Sequence, residues 1–141
     1  MANFSDMFVG RVKDLVLEGI RHLCDGLVKC RELVEVDFSD NAIGFDCMPG
    51  LQFLLENNVS IKRVSFNNNG LDKEAGSLLA QYLSASQGIK LEVFNAMRNR
   101  LQVGGFEAIA AALGNMGSLH RISVPSNTVG AAGTTAFLRC M

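Results

Sequence analysis

The chain has 141 residues, a formal net charge of −1, 48% hydrophobic and 19% charged residues, and a mean hydropathy of +0.20. That balance excludes a disordered chain, and the near-neutral charge lacks the basic footprint that nucleic-acid binders carry. No apolar run approaches the roughly 18 residues of a membrane-spanning helix, so neither nucleic acid nor membrane is an expected partner.

The first element in chain order is a short strand core, Ala2-Asn3-Phe4-Ser5-Asp6-Met7, without an opening leucine. It leads into a window at 8–18 that contains Gly-Arg-Val-Lys-Asp, with Arg11 and Lys13 expected on a lengthened loop. An apolar helical signature follows at Gly19, Leu23 and Leu27.

From Leu33 onward the chain repeats, as LVEVDFSDNAIG, IKRVSFNNNGL, LEVFNAMRNRL and LHRISVPSNTVG. Asn41, Asn69, Asn99 and Asn127 close the four cores at spacings of 28, 30 and 28 residues. Leu33, Ile61, Leu91 and Leu119 lie eight before them, and Val36, Val64, Phe94 and Ile122 five before. Phe38, Phe66, Ala96 and Val124 lie three before, and Ile43, Leu71, Leu101 and Val129 two after. This is LxxLxLxxNxL four times, the leucine-rich-repeat pattern. Behind each core comes a small residue (Cys47, Ala75, Gly105, Gly133), expected to let a helix close onto the strand. Apolar residues follow at steps of four: Leu51 and Leu55, Leu79 and Leu83, Ile109 and Leu113, Phe137 and Met141. Steps of four mark one helix face.

The expected fold is therefore an α/β leucine-rich-repeat solenoid, a horseshoe segment resembling ribonuclease inhibitor. Parallel strands would line the concave face and helices the convex one. The expected organisation is one domain over 1–141, with a partial repeat at 1–32 and repeats starting near 33, 61, 91 and 119. An uncovered first strand leaves an apolar end, which favours self-association there. The inward asparagines are expected to form a ladder that satisfies turn backbone groups away from water.

Chemistry-bearing constellations are sparse. Cys24, Cys30, Cys47 and Cys140 form no CxxC pair, and a chain of this length suits reduced, buried thiols of a cytosolic or nuclear protein. His22 and His120 are isolated, so no metal site and no cofactor are expected. There is no Ser/His/Asp arrangement and no phosphate-binding GxxxxGK[ST] loop, and Gly104-Gly105 suits helix packing. An enzyme in its own right is not the expectation.

What the fold does not require is a row of polar residues just before the ladder positions: Asp6, Asp40, Asn68, Arg98 and Ser126. Parallel strands bring equivalent positions to within about 4.8 Å, which makes them a ridge. Arg100 belongs to the same rim, and Arg11 and Lys13 lie near it. A mixed-charge strip on a solenoid suits a protein partner better than a small molecule.

Five stretches also resemble the Ran GTPase-activating protein family: FSDMFVGRVKD (4–14), LVEVDFSDNAIG (33–44), FNNNGL (66–71), EVFNAMRNRL (92–101) and ISVPSNTV (122–129). The resemblance implies a cytoplasmic protein, including the cytoplasmic side of the nuclear envelope, that serves nucleocytoplasmic transport by stimulating GTP hydrolysis by GTP-bound Ran. It implies that the repeat edge holds the switch regions without an arginine finger, so that the GTPase's own glutamine orients the attacking water. On that basis Asn68 is the residue assisting catalysis, and Arg11, Lys13, Asp40, Arg98 and Arg100 bind the partner. The alternative is a non-catalytic leucine-rich-repeat scaffold for another protein.

Overall fold

Strands of two or three residues alternate with helices along the whole chain. In order these are β1 (Ala2–Asn3), α1 (Lys13–Leu27), β2 (Glu35–Asp37), α2 (Pro49–Asn57), β3 (Arg63–Ser65), α3 (Lys73–Ala85), β4 (Val93–Asn95), α4 (Gln102–Met116), β5 (Arg121–Ser123) and α5 (Gly130–Cys140). The computed structural model describes residues 1–140, less the side chains at 132, 136, 137, 139 and 140. The expectations for Phe137, Cys140 and Met141 lie outside the described residues.

The five strands form one open parallel sheet in sequence order. Ala2 pairs with Val36, Val36 with Val64, Val64 with Phe94 and Phe94 with Ile122. A parallel pair needs a crossover, and one helix supplies it each time. The architecture is α/β, and its register is the one that the repeat alignment predicts, including Met7 as the counterpart of Asn41.

The interior is built from the repeat positions. Val36, Phe38, Ile43, Leu51, Leu55, Ile61, Val64, Phe66, Leu71, Leu79, Leu91, Phe94 and Leu101 are all buried. Phe4, Phe38 and Phe66 stack in file, with ring centroids 5.8 Å apart at both steps. Ala96 takes the next place in that file, and Phe94 stands where the two preceding repeats carry Val36 and Val64. The large and small side chains have exchanged positions, which conserves volume.

The ladder is the polar counterpart of this core. The Asn41 Oδ1 accepts from the Met7 and Phe8 N–H groups, both at 2.8 Å, while its Nδ2 donates to the carbonyls of Phe4 and Phe38. Asn69 accepts from the Asn41 N–H and donates to the Phe38 carbonyl. Asn99 accepts from Asn69 and Leu71, both at 3.0 Å, and donates to Phe66 and Ala96. Asn127 donates to Ala96 and Val124, yet its buried Oδ1 has no partner among the described residues.

Four details differ from the sequence expectation. The core face of α1 runs through Val16, Ile20 and Cys24, whereas Leu23 and Leu27 are half-buried. The buried positions stand 31 residues before Cys47, Leu51 and Leu55 and not 28, so three of the extra residues lie after the core face of α1. The extra residues before Asn41 do not all enter a loop either. Helix α1 starts six residues after Met7, at Lys13, whereas α3 starts four after Asn69 and α4 three after Asn99, so the connection before α1 takes up only part of the added length. Lys13 is consequently the first residue of α1 and not a loop residue.

The small residues, third, admit a neighbouring helix more than a strand. A Cβ on Gly105 would stand 3.0 Å from the Lys73 carbonyl oxygen, and one on Gly76 would stand 3.0 Å from the Gly105 Cα, so α3 and α4 meet backbone to backbone. Last, Cys24 and Cys47 are buried free thiols, but Cys30 is exposed, just beyond the end of α1. Burial, helped by neighbouring Asp25, pushes the Cys24 thiol up to about 12.

These contacts predict unequal costs along the ladder. Asn69→Ala orphans several buried backbone groups at once and should lower unfolding free energy by about 3 kcal/mol. Asn127→Ala should cost measurably less, because its oxygen supports no group among the described residues; urea denaturation of both variants checks the order. In a Cys140→Ser background at pH 8, a thiol reagent should label Cys30 rapidly and leave Cys24 and Cys47 protected until the protein unfolds.

Candidate functional site

The exposed row takes its shape from the backbone. Asp6, Asp40, Asn68, Arg98 and Ser126 all adopt left-handed conformations, with φ between 50° and 61°. Each strand must turn sharply there so that the following asparagine can point inward. The amides of the first four row residues are then spent on the next repeat. Asp6 N–H donates to the Ser39 carbonyl at 3.1 Å, Asp40 to Asn67 at 2.8 Å, Asn68 to Met97 at 2.8 Å and Arg98 to Pro125 at 2.9 Å. Five adjacent turns are thereby tied edge to edge.

A second file runs beside the row. The Ser39 Oγ accepts from the Asn67 N–H, and the Asn67 Oδ1 accepts from the Met97 N–H. It stops where it must, because Met97 carries no good acceptor and Pro125 has no N–H to offer.

Asp40 and Asn68 are brought into direct contact: the Asn68 Nδ2 donates to the Asp40 Oδ1 at 2.8 Å. Asn68 and Arg98 are exposed, while Asp40 is half-buried. Arg98 is the next residue along the row. The Arg100 N–H donates to the Leu71 carbonyl at 2.7 Å, which holds it on the rim two residues beyond Arg98. Neither guanidinium makes an ion pair among the described residues.

The basic pair divides. The segment leading to Arg11 is anchored at its start by the Met7 and Phe8 amides on Asn41, and Arg11 itself is exposed and unpaired among the described residues. Lys13, at the start of α1, forms an ion pair and hydrogen bond with Asp46, on the segment before α2. That carboxylate holds the Lys13 ammonium above its usual pKa. Both side chains are more than half exposed, so the pair orients Lys13 more than it stabilises the fold.

Asp46 was not foreseeable as a site residue, since its partner lies 33 positions away and no local pattern links them. The same holds for the exposed apolar side chains Val9, Val12 and Phe45 on the flanking segments. The left-handed turn did leave a trace, because Asp and Asn tolerate positive φ and fill three of the five row positions.

No group of three or more His, Cys, Asp or Glu able to hold a metal ion occurs among the described residues. None of their helices is long and apolar enough to cross a membrane. A groove of about 480 Å³ lies between α1 and α2, lined by Leu17, Arg21, Asp25 and Phe53 among others, and no row residue borders it. The strand-end rim remains the surface on which polar groups converge.

No family model matches the chain. It is 34% identical over 138 residues to Ran GTPase-activating protein 1 of Xenopus laevis, covering 90% of this chain and 24% of that protein. The chain is Ran GTPase-activating-protein-like. Ran GTPase-activating protein 1 of Saccharomyces cerevisiae is 35% identical over 119 residues, covering 79% of this chain and 29% of its own length. The Drosophila melanogaster Ran GTPase-activating protein is 32% identical over 146 residues, covering 96% and 24%. The chain thus spans less than a third of the length of the Ran GTPase-activating proteins it matches. Among solved structures, the tropomodulin C-terminal domain of Caenorhabditis elegans superposes with a TM-score of 0.63 at 14% identity, covering 92% of this chain and 75% of that one. At that identity the likeness shows the fold alone, a leucine-rich-repeat arrangement of strands and helices.

Arg98 is the row residue whose side chain suits its backbone least. A non-glycine residue in the left-handed region is strained by about 1 kcal/mol, and arginine lacks the short polar side chain that eases Asp40 and Asn68. Arg98→Gly should therefore raise stability by about 1 kcal/mol in urea denaturation, while removing a charge from the rim.

Proposed function

We propose that this chain acts as a GTPase-activating module for the small GTPase Ran in its GTP-bound state. The observation that carries the reading is the similarity to Ran GTPase-activating proteins over nearly the whole chain, combined with a rim on which Asp40, Asn68, Arg98 and Arg100 stand exposed or half-exposed on tied turns. The names of those relatives supply the partner.

In this reading the repeats form a horseshoe segment like that of ribonuclease inhibitor, with strands on the concave face and helices on the convex. The whole chain works as one domain, a partial repeat followed by four more. The rim holds the switch regions of the GTPase. Asn68 then aligns the partner's catalytic glutamine with the attacking water, a positioning role that adds no charge and uses no arginine finger. Arg11, Lys13, Asp40, Arg98 and Arg100 bind the partner, and the basic residues raise encounter rate and affinity against acidic surface. The chain contributes no nucleophile, metal or cofactor of its own. Its location is cytoplasmic, including the cytoplasmic side of the nuclear envelope, and the open sheet ends favour self-association at high concentration.

Phosphate release from Ran·GTP, followed as the chain is added, tests the activity. Acceleration is expected, and none at high micromolar protein would remove the reading. Asn68→Ala should lower kcat by about a hundredfold with a smaller change in KM. Arg11→Ala should chiefly raise KM, by about tenfold. Equal effects on both constants from each change would contradict that division of labour. Capture of Ran irrespective of bound nucleotide would instead support a passive scaffold.

A further inference from the structure

Three consecutive asparagines have three different fates. The Asn69 carboxamide is buried in the ladder, and the Asn67 Oδ1 accepts from the Met97 amide one repeat on. Asn68 turns outward, and its Nδ2 reaches back one repeat to Asp40. The backbones on both sides of that contact are fixed, because the Asp40 and Asn68 amides each donate to the next turn and both residues sit at positive φ. Only side-chain torsions remain free, and the 2.8 Å hydrogen bond restrains those.

The chemistry of the pair sets its polarity. An ionised carboxylate only accepts hydrogen bonds, so the carboxamide must face it with nitrogen and not with oxygen. No competitor reverses this. Asp6, the row neighbour on the far side of Asp40, is another acceptor, and Arg98, on the far side of Asn68, makes no side-chain hydrogen bond among the described residues. The Asn68 Oδ1 is therefore left pointing away from Asp40 and unbonded among the described residues.

We propose that Asp40 is a positioning residue that captures the Asn68 nitrogen and presents the Asn68 oxygen to the partner as a hydrogen-bond acceptor, so that the partner group met at this point is an N–H donor, a side-chain amide or its equivalent. The proposal rests on the GTPase-activating reading and deepens it: it assigns Asp40 a role exerted through Asn68, and it fixes which end of the carboxamide works. An acceptor at this place selects one orientation of a partner amide, nitrogen toward Asn68, and frees the amide oxygen for another contact.

The test exchanges the two side-chain types. Asp40→Gly removes the carboxylate while accepting the same positive φ, and should lower kcat for Ran·GTP hydrolysis by about tenfold, over and above any rise in KM from the lost partner contact. Asn68→Asp alone sets two carboxylates against each other and should lower kcat at least as far. Asp40→Asn combined with Asn68→Asp rebuilds the hydrogen bond with its donor on the other side and again leaves an oxygen facing outward; kcat should return to within about threefold of the parent. A double variant no better than Asn68→Asp alone would overturn the proposal, as would an Asp40→Gly effect confined to KM. A second readout does not depend on activity. The side-chain amide resonances of Asn68, identified by their loss in Asn68→Ala, should shift when Asp40→Gly is introduced into an otherwise unchanged, folded protein. Their failure to move would overturn the carboxamide orientation. Lack of stimulation by the parent chain would count against the GTPase-activating reading alone, and the resonance shift would still decide the pairing.

Discussion

Every strand of this sheet ends in a turn whose backbone groups face the interior, and a buried carboxamide answers them. The Asn41, Asn69 and Asn99 side chains each bridge two successive repeats, accepting from the amides of one and donating to the carbonyls of both. Unpaired backbone groups in that interior would each cost about 1–3 kcal/mol, comparable to burying a whole aliphatic side chain. The apolar file of Phe4, Phe38 and Phe66 lies directly before the same turns, so hydrophobic and polar registers are locked at one level of each repeat. Neither would hold alone, since a slip by one residue would expose the rings and bury the wrong side chains.

The ladder also governs the surface. To aim an asparagine inward, the residue before it must adopt a left-handed conformation, and its side chain is thrown outward on a rigid turn. A constraint imposed for packing thus produces a row of fixed, exposed side chains at the spacing of parallel strands. Asp and Asn meet the constraint at little cost, which makes the contact between Asp40 and Asn68 a local consequence of the fold as well as a candidate for function. Arg98 meets it at greater cost, and strain kept at an exposed position is a reason to look for a partner there.

Much of this was legible in the sequence because it recurs. Leu33, Ile61 and Leu91 occupy equivalent sites, and four asparagines in step reveal a period, a parallel register and an inward amide. The exposed row followed from the same counting. What the counting could not give was anything that occurs once. Lys13 begins a helix and pairs with Asp46, a contact between two repeats that no period encodes. The face of α1 runs through Val16, Ile20 and Cys24 because part of the inserted length lies after those positions and not before them, and no repeat spacing encodes where an insertion falls. The orientation of the Asn68 carboxamide depends on which residue precedes Asn41 one repeat earlier, and only the three-dimensional pairing exposes that dependence.

The joint between β4 and β5 lacks two connections that the β2–β3 and β3–β4 joints both possess. The Asn127 oxygen supports no amide among the described residues, and the side file of acceptors ends at Met97 against Pro125. An array whose units touch only their neighbours opens first at its poorest joint. The last strand can therefore breathe away from the sheet while the turns that carry Asp40 and Asn68 stay knitted by intact rungs. Local opening at one end and a rigid contact point two repeats away are compatible within the same short chain.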